Sequence, residues 1–225
     1  MSVFQSAART EVGKVRKRNE DAILSRDEAG LWAVADGLGG HSAGDVASAL
    51  VAKRLALIDA GLSAPDAVDA IDDALMGAHA ELLQLARQRR VDLIGSTVAL
   101  ALIRDGVCLC GWVGDSRVYH YGQRALRQVT IDHSDSAGPA GSGALTRAIG
   151  ADQALAIDWL SVDLQQGEQL LLCSDGVNKE MSDGELAEVL RLATSAQAAT
   201  DEIVDCCLAR GARDNVSAIV VRVPN

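Results

Sequence analysis

Aromatic residues are nearly missing from this chain: three Trp, two Tyr and one Phe among 225 residues. Its core must therefore be aliphatic. No apolar run approaches the roughly 20 residues of a membrane span, so a spanning helix is not expected. The start, Met1-Ser2-Val3-Phe4-Gln5, lacks a basic segment leading into an apolar one. No secretory signal is visible in it, and a cytoplasmic protein is expected. Excess positive charge is lacking as well. A net charge of -10 argues against nucleic acid or an anionic membrane as partner. Five cysteines are present, but no pair has zinc-ligand spacing. They read as buried, reduced, structural thiols, with Cys108 and Cys110 on one face of a strand. There is no Asp-x-Asp-x-Asp-Gly loop, which excludes a simple Ca²⁺ binder of that type. No internal repeat and no long linker divide the chain. Residues 1–225 are read as one soluble domain, expected to be a monomer, with 48% apolar and 23% charged residues.

What is present alternates between strand and helix periods. Residues 22–26 and 31–35 form a hairpin pattern around Asp27-Glu28-Ala29-Gly30. A helix is predicted over 43–59, with Val46, Leu50 and Leu57 as its apolar stripe. Ser63-Ala64-Pro65-Asp66 starts a second helix, running to about Arg89. Its stripe is Val68, Ile71, Leu75, Ala78, Leu82 and Leu85, suited to packing on a sheet or on the preceding helix. Strands follow at Thr97–Ile103, Val107–Val113, Arg117–Tyr121 and Arg124–Val129, read as an antiparallel meander. Residues 134–143 are a flexible loop, and Leu145–Ile149 a short helix. Strands at 156–163 and 169–174, a capping box at Ser182-Asp183-Gly184-Glu185, a helix at 197–209 stopped by Gly211, and a strand at 216–223 complete the chain. Two antiparallel sheets packed face to face, with helix pairs outside, would use all of these.

Three strand-like runs carry an aspartate at one end. Leu31–Ala35 runs into Asp36-Gly37, Leu170–Ser174 into Asp175-Gly176, and Arg213-Asp214-Asn215 opens the last strand. The first hairpin puts Glu20, Asp21 and Asp36 at one end. In a meander Asp105 and Asp115 lie at opposite ends, so at most one joins them. Asp175 and Asp214 meet if their strands are antiparallel. Taken singly, an Asp-Gly pair is more often a turn, the expected reading of Asp105-Gly106. Taken together, so many carboxylates repel one another at neutral pH. A cation resolves that conflict, and all-oxygen ligation without Cys or His points to Mg²⁺ or Mn²⁺.

At these residues the sequence resembles the metal-dependent Ser/Thr protein phosphatases of the PPM family, the type 2C phosphatases. The likeness runs in order along nearly the whole chain: Arg16–Asp21, Ala35–His41, Gly95-Ser96-Thr97, Gly114–Arg117, Thr130–Ser134, Leu145–Gly150, Ser174-Asp175-Gly176 and Arg213-Asp214-Asn215. The resemblance implies an α+β fold, a four-layer α-β-β-α sandwich, with a binuclear Mn²⁺/Mg²⁺ centre at one edge. It implies that Asp36 bridges the two metals and is catalytic. Asp175 and Asp214 would complete one metal's ligands, and the Gly37 carbonyl and Glu20 would serve the other. Asp115 would hold a third, weaker metal with Asp175. Arg16 would clamp the substrate phosphate with its fork of donors. Two cations held there would lower the pKa of a bound water toward neutrality, and the implied chemistry is in-line attack on phosphorus with no covalent enzyme intermediate. The implied partners are a Ser/Thr-phosphorylated protein and its cognate kinase.

The sequence departs from the family at three places. Where some members carry a histidine as general acid there is Leu38; His41 is the nearby substitute, unless it has no protonic role. Four residues beyond Asp175, where the family often has Asp, stands Lys179, which either weakens the third metal or contacts substrate phosphate. The segment after Asp132-His133-Ser134 is short, and Asp132 is a further candidate of unassigned role. Asn178-Lys179-Glu180 and the compact size resemble phosphatases that accompany kinases in bacterial type VI secretion. The basic run Lys14, Arg16, Lys17 and Arg18 is either a solvated loop or a steering patch. His79 and His120 read as packing or surface residues. The rival function is a catalytically silent domain of this family acting as a regulatory module, which should have lost its metal aspartates. An esterase for small phosphates is a lesser rival.

Overall fold

Strands apolar on both faces need cover on both sides, and the architecture supplies it. The computed structural model describes residues 4–39, 43–135 and 144–224. In chain order its elements are β1 (Gln5–Glu11), β2 (Asp21–Arg26), β3 (Leu31–Leu38), α1 (Gly44–Leu55), α2 (Ala64–Arg89), β4 (Gly95–Ser96), β5 (Val98–Arg104), β6 (Val107–Val113), β7 (Arg117–Gly122), β8 (Ala125–Gln128), β9 (Asp158–Val162), β10 (Gln169–Cys173), α3 (Asp175–Asn178), α4 (Asp183–Leu192), α5 (Ala196–Ala209) and β11 (Val216–Arg222). One sheet has the order β1-β11-β10-β7-β8, the other β2-β3-β5-β6-β9, with β4 paired to β3. All the pairings are antiparallel.

Alternation along each strand sorts its side chains into layers. On β3, Trp32 and Val34 meet Leu170, Leu172, Ile219 and Val221 between the sheets. Leu31, Ala33 and Ala35 turn the other way, onto α1 and α2. Leu171, Cys173, Ala218 and Val220 pack under α4 and α5. Two sheets between two helix layers thus form the α-β-β-α sandwich. Each fully buried Leu in these layers contributes about 1.5–3 kcal/mol. The few aromatics add little; Phe4 meets Trp32 edge-on at 5.3 Å. All five cysteines are unpaired, and only Cys206 is not fully buried.

The second helix forms as its signals predict. The Ser63 hydroxyl accepts from the Asp66 amide, and Ile71, Leu75, Ala78 and Leu82 are buried. Its first turn is also held by Asp105, which accepts the Ala64 amide at 2.8 Å. The Ser182–Glu185 capping box is present as well.

Three expectations need correction, and one strand had no expectation. The buried stripe of α1 is Ala47, Val51 and Leu55, while Val46 and Leu57 are exposed. Small residues let this helix lie close to the sheet: a Cβ on Gly37 would sit 2.0 Å from the Gly44 carbonyl oxygen. The four central strands are not one meander. β5 and β6 pair in one sheet, β7 and β8 in the other, and Gly114-Asp115-Ser116 crosses between them. Leu145–Ile149 is not helical. Leu145 bridges Ser134 and Ile149 bridges Ser96, so pairing to distant backbone wins over local propensity. Finally, β1 was not foreseen: of its seven residues only Ala7 is buried. The loop expected at 134–143 falls mostly outside the described residues.

Candidate metal centre

The sandwich brings its aspartates to one edge. The β2–β3 register sets Asp21 opposite Asp36, and the Gly37 amide donates to the Glu20 carbonyl at 2.9 Å. β10 and β11 are antiparallel with Cys173 opposite Ala218, so Asp175 and Asp214 reach the same end. The crossover after β6 delivers Asp115 there, while Asp105 stays at α2. One cleft of about 500 Å³ is lined by Glu20, Asp36, Gly37, Asp115, Asp175 and Asp214, with Arg16 and Lys179.

Neighbouring hydroxyls and amides hold this arrangement. Asp36 donates its amide to the Thr97 hydroxyl at 3.0 Å. Its carbonyl accepts the Thr97 amide at 2.8 Å and the Ser96 hydroxyl at 3.1 Å. Thr97 is also 2.7 Å from the Ser116 hydroxyl, beside Asp115. Gly114 there has φ 107°, and a Cβ on it would sit 2.6 Å from Thr97, so only glycine fits. Asn215 ties the first segment to β11: its Oδ1 accepts the Glu20 amide, and its Nδ2 donates to Val12 and Arg18, all at 2.8 Å.

Asp21 was not foreseen as a support. It is buried, and its Oδ2 accepts from Ser174 at 2.8 Å and Ser217 at 2.6 Å. Burial, with Asp175 and Asp214 nearby, pushes its carboxyl up to about 6. Asp115 is likewise pushed up to about 6, by burial and then Asp175. Asp36 rises well above the carboxylate range through burial and its four neighbours Asp21, Asp175, Asp214 and Asp115. Burial also raises Asp214, but the Arg16 guanidinium more than offsets it, leaving that carboxyl below its ordinary value.

Two cations of the chain already engage these acids. Arg16 Nε lies 2.8 Å from Asp214. The Lys179 ammonium pairs with Asp175 and lies 3.5 Å from Asp214. Among the described residues no three acids yet close on one point as a finished ligand set. The donors nonetheless fit a hard divalent cation. All are oxygens, and Asp175 Oδ1 is buried with no partner among the described residues. A Cβ on Gly44 would lie 2.8 Å from the Gly37 carbonyl oxygen and 2.9 Å from Glu20 Oε1, so glycine keeps open the space those two oxygens face.

Residues 13–218 match the family model of Protein phosphatase 2C. The chain belongs to that family. As a phosphatase 2C it hydrolyses phosphoserine and phosphothreonine in proteins. The phosphatase is similar to PppA, a key regulatory component of T6SS in Pseudomonas aeruginosa, at 40% identity, 98% coverage of each chain and a TM-score of 0.93. It is similar to the catalytic domain of the serine/threonine protein phosphatase PstP in complex with 2 manganese ions, at 28% identity, 99% of each chain and a TM-score of 0.90. A curated relative is the serine/threonine phosphatase stp of Listeria monocytogenes serotype 4b, 29% identical over 95% of this chain and 93% of that one.

Several motifs of the phosphatase act as brackets rather than as chemistry. The Gly114 amide donates to His133 Nδ1 at 3.1 Å, and the His133 amide to the Gly114 carbonyl at 2.9 Å. Asp132 is not brought to the cleft. It receives the Arg117 guanidinium at 2.6–3.1 Å and the Gln128 amide at 2.8 Å, bracing β7. His41 lies outside the described residues. Of the early basic run only Arg16 lines the cleft. His79 is buried and accepts the Gly150 amide at 3.0 Å, and His120 pairs with Glu168 at 2.7 Å.

Proposed function

We propose that residues 1–225 form one metal-dependent phosphatase domain whose ions are held by Asp36, Gly37, Glu20, Asp175 and Asp214. The observation that carries this reading is the convergence of five carboxylates and a backbone carbonyl from separate strand ends in one cleft. When bound, divalent cations supply Lewis acidity and bring the pKa of water toward neutrality. The chain's own residues do the rest. Asp36, half-buried among the other acids, would be the ligand shared by both ions. Arg16 turns from Asp214 to the phosphoryl oxygens and offsets the charge that grows on them. Mn²⁺ or Mg²⁺ suits the donors, and the relative PstP is described with manganese. Four acids and a glycine fully kept do not favour a silent regulatory module.

The test is hydrolysis of a phosphothreonine peptide with Mn²⁺, with Mg²⁺ and with chelator after prolonged dialysis. Turnover only with added metal is expected; equal rates in chelator would sink the mechanism. Arg16→Ala should lower kcat/KM by about tenfold or more, the worth of a charge-assisted bond to phosphate. Lys17→Ala should do much less, and equal effects would reduce Arg16 to part of a diffuse patch.

The Lys179 ammonium pairs with Asp175, so it would repel a third, weaker ion held by Asp115 and Asp175. The enzyme should then need only the tight pair. Lys179→Asp should add a low-affinity phase to a Mn²⁺ binding titration; superimposable curves would end the third-site argument. The likeness to PppA supports a partner in type VI secretion, with a cognate Ser/Thr kinase opposing this enzyme. Five unpaired cysteines suit a reducing cytoplasm, and a monomer is expected. No described helix is long and apolar enough to cross a membrane.

A further inference from the structure

Beside the acidic cleft lies a second hollow, of about 600 Å³, walled by Arg16, Lys179, Glu180, Arg210, Arg213 and Asp214. Four cations meet two acids there, in a chain whose net charge is -10. Asp214 is paired with Arg16 and Lys179, and one oxygen of Glu180 accepts the Arg213 amide at 3.4 Å. Arg210 is fixed as a wall by the Glu180 carbonyl at 2.6 Å and by Glu185. The Arg213 side chain is exposed, and among the described residues no hydrogen bond or ion pair engages its guanidinium. A fork of donors is thus left open to an anion.

The two hollows share Arg16, Lys179 and Asp214 as a common wall. An anion in the second hollow would lie one side chain away from a phosphoryl group in the first. Extended peptide advances about 3.3 Å per residue, so a group one to three residues from the scissile phosphate spans that wall. We infer that this recess receives a second phosphoryl group of the substrate, with Arg213 as its specificity-determining residue. The inference rests on the phosphatase reading of the neighbouring cleft and adds the class of substrate: segments phosphorylated at more than one nearby residue. Carboxylates offer the same chemistry with fewer acceptors and less charge, so a flanking Glu should substitute only in part.

The experiment compares kcat/KM, at saturating Mn²⁺, for three matched peptides. One carries a single phosphothreonine in a neutral setting, one adds a phosphoserine two residues away, and one adds Glu there. Wild-type protein should favour the doubly phosphorylated peptide about tenfold, the scale of one charge-assisted pair. Arg213→Ala, with Arg213→Gln as second variant, should abolish that preference and leave the singly phosphorylated peptide unchanged. The preference should also fade near 1 M salt, where the screening length is about 3 Å. No preference in wild type, or the same preference in both variants, overturns the inference. Inorganic phosphate should inhibit wild type and Arg213→Ala alike. Arg213-dependent inhibition without peptide preference would assign the recess to the free ion and overturn it as well. Fluorescence anisotropy of the labelled peptides on metal-free protein separates this inference from the catalytic one. If nothing is hydrolysed, the phosphatase reading fails, and Arg213-dependent tighter binding of the doubly phosphorylated peptide still decides the recess.

Discussion

Asp36→Asn should abolish turnover and at the same time make the metal-free protein more stable. The carboxylate of Asp36 is pushed far up by burial and by Asp21, Asp175, Asp214 and Asp115, so at neutral pH its charge opposes folding. Asparagine keeps the shape and removes that charge. The backbone of Asp36 is held by Ser96 and Thr97, which the substitution leaves in place. Melting without metal should therefore rise by a few degrees, on the scale of about 2–4 °C per kcal/mol for a chain of this size. A bridging ligand is shared by two cations, so its loss should cost more than the roughly 10–100-fold that follows loss of an outer-shell partner. Peptide hydrolysis and a thermal melt in chelator read the two effects on one preparation. Near-wild-type activity would rule out Asp36 as the bridge, and a lower melt would show that the acids were not in conflict.

The carboxylates behind that argument were legible in the sequence because each ends or opens an apolar strand. Such runs carry their own boundaries, and Asp36, Asp175 and Asp214 mark them. The placement of Asp115 was legible for a different reason. Asp105 and Asp115 lie at opposite ends of β6 whether or not the strands form one meander. What could not be read locally was whether Gly114-Asp115-Ser116 turns back within a sheet or crosses to the other. Both uses need a tight glycine turn, and the choice is made by Thr97 and His133, which are distant in sequence. The buried face of α1 carries little hydrophobic signal because it is built partly on alanine: Ala47 buries where Val46 does not. β1 carries almost no periodic signal, since its stability lies in backbone pairing to β11. Asp21 looked like one more acid beside Asp36. Its support role depends on Ser174 and Ser217, ordinary-looking residues that only the sandwich brings together. Arg213 sat inside a recognised motif, yet its open guanidinium depends on where Glu180 and Glu185 turn their carboxylates.

Metal binding and acid should act as alternative remedies for the same repulsion. Asp21 and Asp115 are pushed up to about 6 in the folded protein, against about 3.9 for an unfolded aspartate. A carboxyl raised on folding binds its proton more tightly in the native state. Between those two values the native state holds more protons, so stability falls as pH rises. The penalty is in full force above the folded value, at neutral pH. Asp214, held low by Arg16 despite its burial, works in the opposite sense only in the more acid range, below the ordinary value of the group. Metal-free protein should therefore melt higher near pH 5 than near pH 7.5. Adding Mn²⁺ at 100 times its dissociation constant stabilises by about 2.7 kcal/mol per site. For a chain of this size that is about 5–10 °C. The gain should be largest at neutral pH and shrink toward pH 5, because protons and cations compete for the same oxygens. Melts across that range with Mn²⁺ and with chelator would measure both curves. A metal-free curve that rises with pH, or a Mn²⁺ gain independent of pH, would mean that these carboxylates do not share one site.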